Sequence, residues 1–325
     1  MKVSVILPAY NAMAYLPETM ANLLEQTYPD FEVVVVNDGS TDNILEWIAS
    51  IKDPRIRLIT QANKGLAGAR NTGIRQSKGE FIAFLDADDL WEKTKLAKQV
   101  EVLEKNPQVG LVYTWTHYIN EAGEYTGRTV KYTSEGDVWQ ELTQYNLIEC
   151  GSVPMLRRSC LERVGLFDEE FTHYNVVEDW NLWLRIAAEY PFKVVPEALT
   201  YYRQRSTSGS KNWELMAQAY RLLFEKAFAD APLELLHLRS RSYGNAHLVL
   251  AWKVLQSQAR DCELADSYRE QALRYYPLLV FSKEYIRLSI AIALMSRLGA
   301  SGYQKFLGLF WGLRRNIFSK LPLAQ

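Results

Sequence analysis

The chain has 325 residues, of which 48% are hydrophobic and 23% charged, and its net charge is −1. This composition is typical of a globular protein and excludes a disordered or fibrous chain, and the near-neutral charge argues against a general nucleic-acid binder. Three cysteines without metal-like spacing indicate a reducing compartment. Because the apolar N-terminal run is brief and is followed at once by a turn, it predicts a strand rather than a signal peptide.

The first hundred residues alternate between strand and helix patterns. Continuous or alternating apolar runs predict strands at 3–7, 31–36, 55–60 and 80–85, and helical spacing predicts helices at 15–26, 44–51 and 65–76. Such alternation is typical of a mostly parallel sheet with right-handed crossovers. The sequence therefore predicts an α/β fold.

The pattern changes after residue 89. Helices are predicted at 93–104 and 179–189, and strands at 110–119, 126–133, 153–156 and 199–203. From about residue 212 the pattern is helical throughout, and this part is net basic whereas the rest is net acidic. We therefore predict an α/β domain over 1–210 and a C-terminal helical region over 211–325.

Four loops follow the first four predicted strands. Their candidate nucleotide-binding residues are Pro8, Ala9, Tyr10, Asn11, Asp38, Lys64, Gly65, Arg70, Asp86 and Ala87, and Asp88 follows directly. Because the carboxyl ends of parallel strands share one edge of a sheet, these loops are expected to converge on one crevice.

The residue types in this crevice suit a nucleotide. Tyr10 offers an aromatic face to a base, Asp38 can accept a base N–H, and the Arg70 guanidinium suits phosphate or a base edge. Asp86 and Asp88 alternate along a strand end, and two carboxylates suit Mg²⁺ or Mn²⁺ shared with phosphates. Each loop alone also fits a turn, a helix cap or a small-residue packing helix, and the aspartates also fit an Asx-turn capping a helix near residue 92.

Taken in order, the segments VSVILPAYNA, VVVVNDGSTD, NKGLAGARNTG and FLDADD resemble glycosyltransferase family 2. This family comprises inverting nucleotide-sugar transferases of the GT-A fold. The similarity continues at 164–168 and 177–185 and covers about residues 1 to 210. It implies a Rossmann-like, mostly parallel sheet with a nucleotide-binding crevice.

The resemblance also implies a role for each matching residue. Pro8, Ala9, Tyr10 and Asp38 would line the base pocket, Arg70 would help to hold the nucleotide, Asp86 would lie near ribose and metal, and Asp88 would bind the metal. The Glu178-Asp179 pair resembles the catalytic motif of the family, with Asp179 as general base. An inverting displacement needs such a base on the acceptor side of the anomeric carbon. The pair also fits the acidic start of a helix.

The stretch Tyr202-Arg203-Gln204-Arg205 departs from the family pattern. Many relatives carry a histidine where this chain has Arg205, and that histidine assists at the metal or diphosphate. A guanidinium cannot ligate a metal but can pair with phosphate. Arg205 is therefore interpreted as a nucleotide-sugar-binding residue.

The sequence favours a metal-dependent inverting glycosyltransferase of the hexosyltransferase type. We expect it to use Mg²⁺ or Mn²⁺ and to move a sugar from a nucleoside-diphosphate donor, of the UDP type, to a saccharide or lipid-linked acceptor in cell-surface polysaccharide or glycoconjugate synthesis. The alternatives are a non-catalytic nucleotide-sugar binding protein and a sugar-1-phosphate nucleotidyltransferase. The latter is disfavoured because the first loop lacks glycine and basic residues.

Residues 303–320 combine an apolar stripe at helical spacing with four basic residues. This pattern is typical of a helix lying in an anionic membrane surface, and equally of the packing face of a terminal helix. We adopt the first as a hypothesis, which gives a cytoplasmic protein peripheral to the inner face of the membrane.

If this helix is the anchor, the full chain will sediment with anionic liposomes and a chain truncated after Gly302 will lose most of that binding. The reason is that the apolar stripe and its basic residues both contribute to interfacial affinity. Co-sedimentation with anionic and neutral vesicles measures the effect. Equal partitioning of the two chains onto anionic vesicles would contradict the hypothesis.

Overall fold

The computed structural model describes residues 1–174, 176–205, 212–229, 231–257 and 259–318. The described chain divides into two compact units, of which the first is Met1–Pro232 and the second begins at Leu233. Within the described residues, nine strands form one sheet in the first unit. They are β1 (Val3–Ala9), β2 (Phe31–Asp38), β3 (Ile56–Gln61), β4 (Phe81–Phe84), β5 (Leu90–Trp91), β6 (Leu111–Ile119), β7 (Tyr125–Val130), β8 (Met155–Arg157) and β9 (Phe192–Arg203).

Helices cover the sheet in the first unit and make up most of the second. Those of the first unit are α1 (Leu16–Leu24), α2 (Ile44–Ser50), α3 (Gly65–Gln76), α4 (Lys95–Lys105), α5 (Trp139–Leu142), α6 (Arg158–Val164), α7 (Glu178–Ala187) and α8 (Trp213–Ala227). Those of the second unit are α9 (His237–Gln256), α10 (Cys262–Tyr275) and α11 (Lys283–Phe318).

The strand order is β3-β2-β1-β4-β8-β6-β9-β5, with β7 paired to β6. The ladders β3–β2, β2–β1, β1–β4 and β6–β9 are parallel, and they contain most of the paired residues. The remaining ladders are antiparallel. The predicted α/β fold with a mostly parallel sheet is confirmed.

Every residue of β2 is buried, because helices cover both faces of the parallel half of the sheet. Val33 and Val35 lie in the apolar cluster that also contains Leu16 and Met20 of α1. On the other face α3 approaches closely at Gly73, where a β-carbon would lie 2.3 Å from Cγ2 of Ile6. This two-sided burial explains the continuous run of valines in the sequence.

The parallel register brings the strand ends together. Ala9 at the end of β1 pairs with Asn37, and Asp38 at the end of β2 pairs with Gln61 at the end of β3. The loops after β1, β2, β3 and β4 therefore leave the sheet at one edge, as the sequence predicts. This edge carries the candidate active site.

Strand β9 is longer than the predicted strand at 199–203. It begins at Phe192 and accommodates Pro196 by a shift of register against β6, where Val195 pairs with Thr114 and Ala198 pairs with Trp115. Since proline interrupts a regular ladder, the local pattern conceals the first half of this strand.

The first unit extends to Pro232, beyond the predicted domain end at residue 210. Helix α8 accounts for the difference, because Trp180 of α7 meets Tyr220 and Phe224 of α8 in edge-to-face contacts with ring centroids 5.8 and 6.0 Å apart. Residues 206–211, which contain the predicted boundary, lie outside the described residues.

The second unit is helical, as predicted. Its long helix α11 is interrupted at Gly299, whose φ of 66° is not helical. No helix among the described residues combines the length and the apolarity needed to cross a membrane. The backbone of 303–318 continues α11, whereas the side chains of 306–318 and all of 319–320 lie outside the described residues, so the membrane hypothesis stays a prediction.

A lysine is buried beneath the sheet edge. Nζ of Lys95 donates a hydrogen bond to Oε1 of Gln99 at 2.7 Å and lies 4.1 Å from the ring centroid of Trp91. Gln99 in turn donates to the carbonyl oxygens of Val112 and Val153. With no carboxylate bonded to it, burial lowers the pKa of Lys95 well below its usual range.

We expect Lys95→Met to remove a pH dependence of stability. The lowered pKa means that the unfolded chain binds more protons, so the contribution of Lys95 to the free energy of unfolding rises by about 1.4 kcal/mol per pH unit between its folded pKa and 10.5. Urea titrations of wild type and variant from pH 7 to pH 10 measure this slope. Lys105→Met, on the exposed side of the same helix, is the control, and parallel curves for Lys95→Met and wild type would refute the assignment.

Candidate active site

Asp38 ends β2 at the sheet edge and is held in a defined orientation. Its Oδ1 accepts hydrogen bonds from Nε2 of Gln61 at 2.7 Å and from the backbone N–H of Lys64 at 2.9 Å. The side chain is buried at 3% exposure. Both of these bonds use Oδ1, which leaves Oδ2 for a ligand.

The loop after β1 faces Asp38. Pro8 and Ala9 are buried in the strand, whereas Tyr10 is 55% exposed and offers a free ring face. Asn11 has a φ of 48°, and its Oδ1 accepts a hydrogen bond from the backbone N–H of Thr41 at 2.8 Å. The exposed Tyr10 ring and the fixed Asp38 carboxylate thus each follow directly on the paired residues Ala9 and Asn37 at the sheet edge.

Helix α3 begins at this edge as well. Lys64 precedes it and binds Asp38 through its backbone, and Gly65 has a φ of 71°. A β-carbon at Gly65 would lie 2.3 Å from Cγ2 of Thr172, so only glycine fits this helix start.

Arg70 of α3 is buried between two carboxylates. Its Nη2 lies 2.7 Å from Oδ1 of Asp86, its Nη1 lies 2.7 Å from Oε1 of Glu178, and its side chain is 1% exposed. The Phe167 ring lies against the guanidinium, with Cζ 5.2 Å from the ring centroid. Arg70 therefore joins the segment after β4 to the start of α7, and its predicted part in holding the nucleotide stays a prediction.

The acidic segment after β4 separates into three environments. Asp86 is bound by Arg70, and Asp88 forms an ion pair with Arg205 at 2.7 Å. Asp89 is fully buried and accepts from Oγ of Ser152 at 2.6 Å and from the backbone N–H of Arg203 at 2.9 Å. The alternative of an Asx-turn capping a helix near residue 92 is wrong, because Leu90–Trp91 is a strand and α4 begins at Lys95.

The carbonyl of Ala87 also fixes this segment, since it accepts a hydrogen bond from Oγ1 of Thr19 at 3.1 Å. From the strand side, Arg203 is 1% exposed, and its Nε donates to the carbonyl of Asp88 at 2.7 Å. The backbone of Asp88 is therefore rigid, and its carboxylate has a set direction.

The loop 149–152 supports the acidic segment, and sequence reasoning missed it. Oγ of Ser152 accepts from the backbone N–H of Asp86 at 3.0 Å, and a β-carbon at Gly151 would lie 2.3 Å from Nη2 of Arg70. Glu149 has a φ of 64° and accepts a hydrogen bond from the Tyr118 hydroxyl. Nothing in the local pattern distinguishes this segment from an ordinary loop.

The Glu178-Asp179 pair opens α7. Glu178 is buried on Arg70, and Oδ1 of Asp179 accepts from the backbone N–H of Trp180 at 2.6 Å. The preceding residue, Val177, has a φ of 59°, which is strained for a β-branched residue and costs about 1–3 kcal/mol. Such strain is typical of functional sites, where the surrounding structure enforces it.

Several carboxyl groups of the site are shifted towards the protonated form, among them Asp179 and Asp88. Burial and the neighbouring Glu178 charge raise the pKa of Asp179 to about 7, and the Arg70 charge opposes this shift. Burial and the Asp86 charge raise the pKa of Asp88. A pKa near neutrality suits a general base, because the group is then both available and basic.

The residues present fit a divalent cation bound together with a diphosphate. No cluster of three or more His, Cys, Asp or Glu side chains arranged for a metal occurs in the part of the chain that the structure describes. Two carboxylates suffice for Mg²⁺ or Mn²⁺ when substrate phosphates and water complete the shell. A bound cation would favour the ionised form of Asp88, which burial and the neighbouring Asp86 charge disfavour.

We expect Gly151→Ala to impair the site through Arg70. The added β-carbon would displace the guanidinium and cost about 1–3 kcal/mol of stability, the usual range for overpacking. A double-mutant cycle with Arg70→Ala, read by chemical denaturation, measures the coupling. Strictly additive effects would show that Gly151 does not act through Arg70.

Comparison with known proteins identifies a family that this chain resembles. The family model described as "Glycosyl transferase family 2" matches residues 4–165. A Rickettsia bellii protein described as an uncharacterized glycosyltransferase is 36% identical over 192 residues, which are 58% of this chain and 26% of that protein. The chain thus spans about a quarter of the length of this relative.

Another relative matches over most of its own length. The Escherichia coli protein WfaP, a UDP-Glc:alpha-D-GlcNAc-diphosphoundecaprenol beta-1,3-glucosyltransferase, is 34% identical over 223 residues, which cover 67% of this chain and 84% of WfaP. Among solved structures, the mannosyltransferase PcManGT from Pyrobaculum calidifontis, in complex with GDP-Man and Mn²⁺, superimposes with a TM-score of 0.59 at 23% identity. That match covers 90% of this chain and 86% of PcManGT.

The structural match confirms the GT-A fold, and the order of the motifs agrees with the family match. Because WfaP is 34% identical to this chain and is matched over 84% of its own length, the chain belongs to glycosyltransferase family 2.

Proposed function

We propose that this protein is a metal-dependent inverting glycosyltransferase. It moves a hexose from a UDP-sugar, with UDP-glucose as the first donor to test, to a hydroxyl of a lipid-linked saccharide in cell-surface polysaccharide synthesis. The observation that carries the proposal is the Arg70 bridge, which ties Asp86 at the nucleotide edge to the acidic start of α7. The activity of WfaP supports the choice of donor and acceptor class.

The nucleoside binds between the loops after β1 and β2. The exposed Tyr10 ring stacks on the base, and Oδ2 of Asp38 accepts a base N–H while Gln61 and Lys64 hold its Oδ1. Asn11, Lys64 and Gly65 shape the rim of this pocket. Because Asp38 is buried and oriented before the ligand arrives, little ordering cost is added on binding.

Asp86 and Asp88 would hold a divalent cation against the donor diphosphate. When bound, such a cation stabilises the charge that develops on the leaving diphosphate. The protein contributes the rigid backbone of 86–89, fixed by Thr19, Ser152 and Arg203, so that both carboxylates keep their direction.

Asp179 is the general base of the proposed reaction. It takes the proton of the acceptor hydroxyl while that oxygen attacks the anomeric carbon and the nucleoside diphosphate leaves from the opposite side. Glu178 is a positioning residue, because its carboxylate is buried on Arg70. Its charge also helps to raise the pKa of Asp179.

The proposed location is the cytoplasmic face of a membrane. A lipid-linked acceptor would require the enzyme to work at that surface, and the basic, apolar segment 303–320 is the proposed contact.

The experiment that tests the function is a donor assay with Mn²⁺. The protein is incubated with UDP-glucose, other nucleotide sugars or nucleoside triphosphate plus sugar phosphate, with and without a lipid-linked saccharide, and the products are resolved. Release of UDP coupled to glycosylated acceptor supports the proposal. Product from the triphosphate would indicate a nucleotidyltransferase, and donor binding without turnover would indicate a binding protein.

In Asp88→Asn, we expect Mn²⁺-dependent affinity for UDP to be lost.

We expect Asp179→Asn to reduce transfer by about 10²-fold or more, the usual scale for a lost general base, with donor affinity close to wild type. In the wild type, kcat/KM should rise with pH up to about 7 and then level off, because the carboxylate must be deprotonated to act. Glu178→Gln is the comparison. An inactive Glu178→Gln beside an active Asp179→Asn would mean that the base is Glu178.

A further inference from the structure

The two aspartates that would hold the cation are each paired with an arginine, but the two pairs differ in exposure. Arg70 is 1% exposed and is bound to Glu178 as well as to Asp86. The Arg205 side chain is 37% exposed and lies on Asp88, which is 19% exposed. Moving Arg70 would leave two carboxylates uncompensated, whereas the more exposed Arg205 side chain moves with a smaller change in solvation.

The Arg205–Asp88 ion pair occupies the same carboxylate that the proposed metal site uses. Nε of Arg205 lies 2.7 Å from Oδ2 of Asp88. The guanidinium carbon of Arg205 lies 5.9 Å from the Tyr15 ring centroid, and the Arg203 guanidinium carbon lies 4.9 Å from the same ring. Arg205 is thus held near Asp88 by charge and by an aromatic face, and its attachment point is fixed by the buried Arg203 two residues earlier.

A divalent cation at Oδ2 of Asp88 would repel a guanidinium at the same oxygen, so the two cations compete for this position. A guanidinium displaced from Asp88 would remain within reach of the diphosphate, which it can bind in a bidentate manner. The residue type therefore suits two successive partners, first a carboxylate and then a phosphate.

We propose that Arg205 is an exchangeable internal cation: it neutralises Asp88 in the free protein, gives way to the divalent cation, and then pairs with the donor diphosphate. This inference rests on the proposed function, because it assigns Asp88 to a metal site. It predicts that the protein binds metal weakly without nucleotide and much better with it. Metal and donor binding are thereby coupled through one side chain.

The decisive measurement is Mn²⁺ binding without nucleotide, by calorimetry or by electron paramagnetic resonance of free Mn²⁺. We expect Arg205→Ala to bind Mn²⁺ about fivefold more tightly than wild type, the scale of a part-exposed ion pair. Arg205→His, which offers an imidazole ligand, should bind Mn²⁺ more tightly still. Arg163→Ala removes the same charge from an exposed pair with Glu189 and should match wild type.

A second measurement follows the other half of the exchange. With Mn²⁺ present, Arg205→Ala should bind UDP about tenfold more weakly than wild type, because a charge-assisted contact with the diphosphate is lost. Equal Mn²⁺ affinity in wild type and Arg205→Ala, no Mn²⁺ binding to Arg205→Ala, or unchanged UDP affinity would overturn the inference. Failure of wild type to bind UDP or UDP-sugars would instead count against the proposed function, so the two failures are distinguishable.

Discussion

The arrangement of the site depends on one buried guanidinium. Arg70 reaches from α3 to Asp86, 16 residues away, and to Glu178, 108 residues away, and so joins the end of a strand to the start of α7. Burying three charges is costly, and such pairs contribute little net stability. Their effect here is to fix the positions of the three side chains. Loss of any one of the three residues would leave the charge of its partner uncompensated. The spacing between the acidic segment after β4 and the start of α7 is thereby set by the fold.

Around this bridge the structure combines buried contacts with a more exposed one. Asp89 is enclosed by Ser152 and the Arg203 backbone, and burial together with the neighbouring carboxylates raises its pKa well above the usual range, so it serves the framework. Asp88 lies next to it with a half-exposed partner. Adjacent aspartates thus differ in role because their solvent exposure differs, which is a property of packing rather than of residue type.

Backbone strain concentrates at the same place. Among the described residues, the non-glycine positions with positive φ are Asn11, Glu149, Val177 and Arg260, and the first three lie in segments that form the site. Each of the three is restrained by a nearby contact. The Asn11 side chain accepts a hydrogen bond from the Thr41 backbone, and the Glu149 carboxylate accepts one from the Tyr118 hydroxyl. Val177 precedes Glu178, which is bound to Arg70. Strain of this kind persists only where such contacts outweigh it.

The sequence by itself determined the parallel half of the sheet, helix α3, the acidic segment after β4 and the acidic start of α7, because apolar periodicity and turn residues are local signals. It also identified the family, since the order of motifs is a property of the chain. Only the tertiary structure decided that β9 continues through Pro196, that α8 completes the first unit, that Arg70 binds Asp86 and Glu178, and that Ser152 and Gly151 support them. These outcomes depend on contacts between side chains that are distant in the sequence and on the solvent exposure of those side chains. A local sequence pattern predicts neither the contacts nor the exposure.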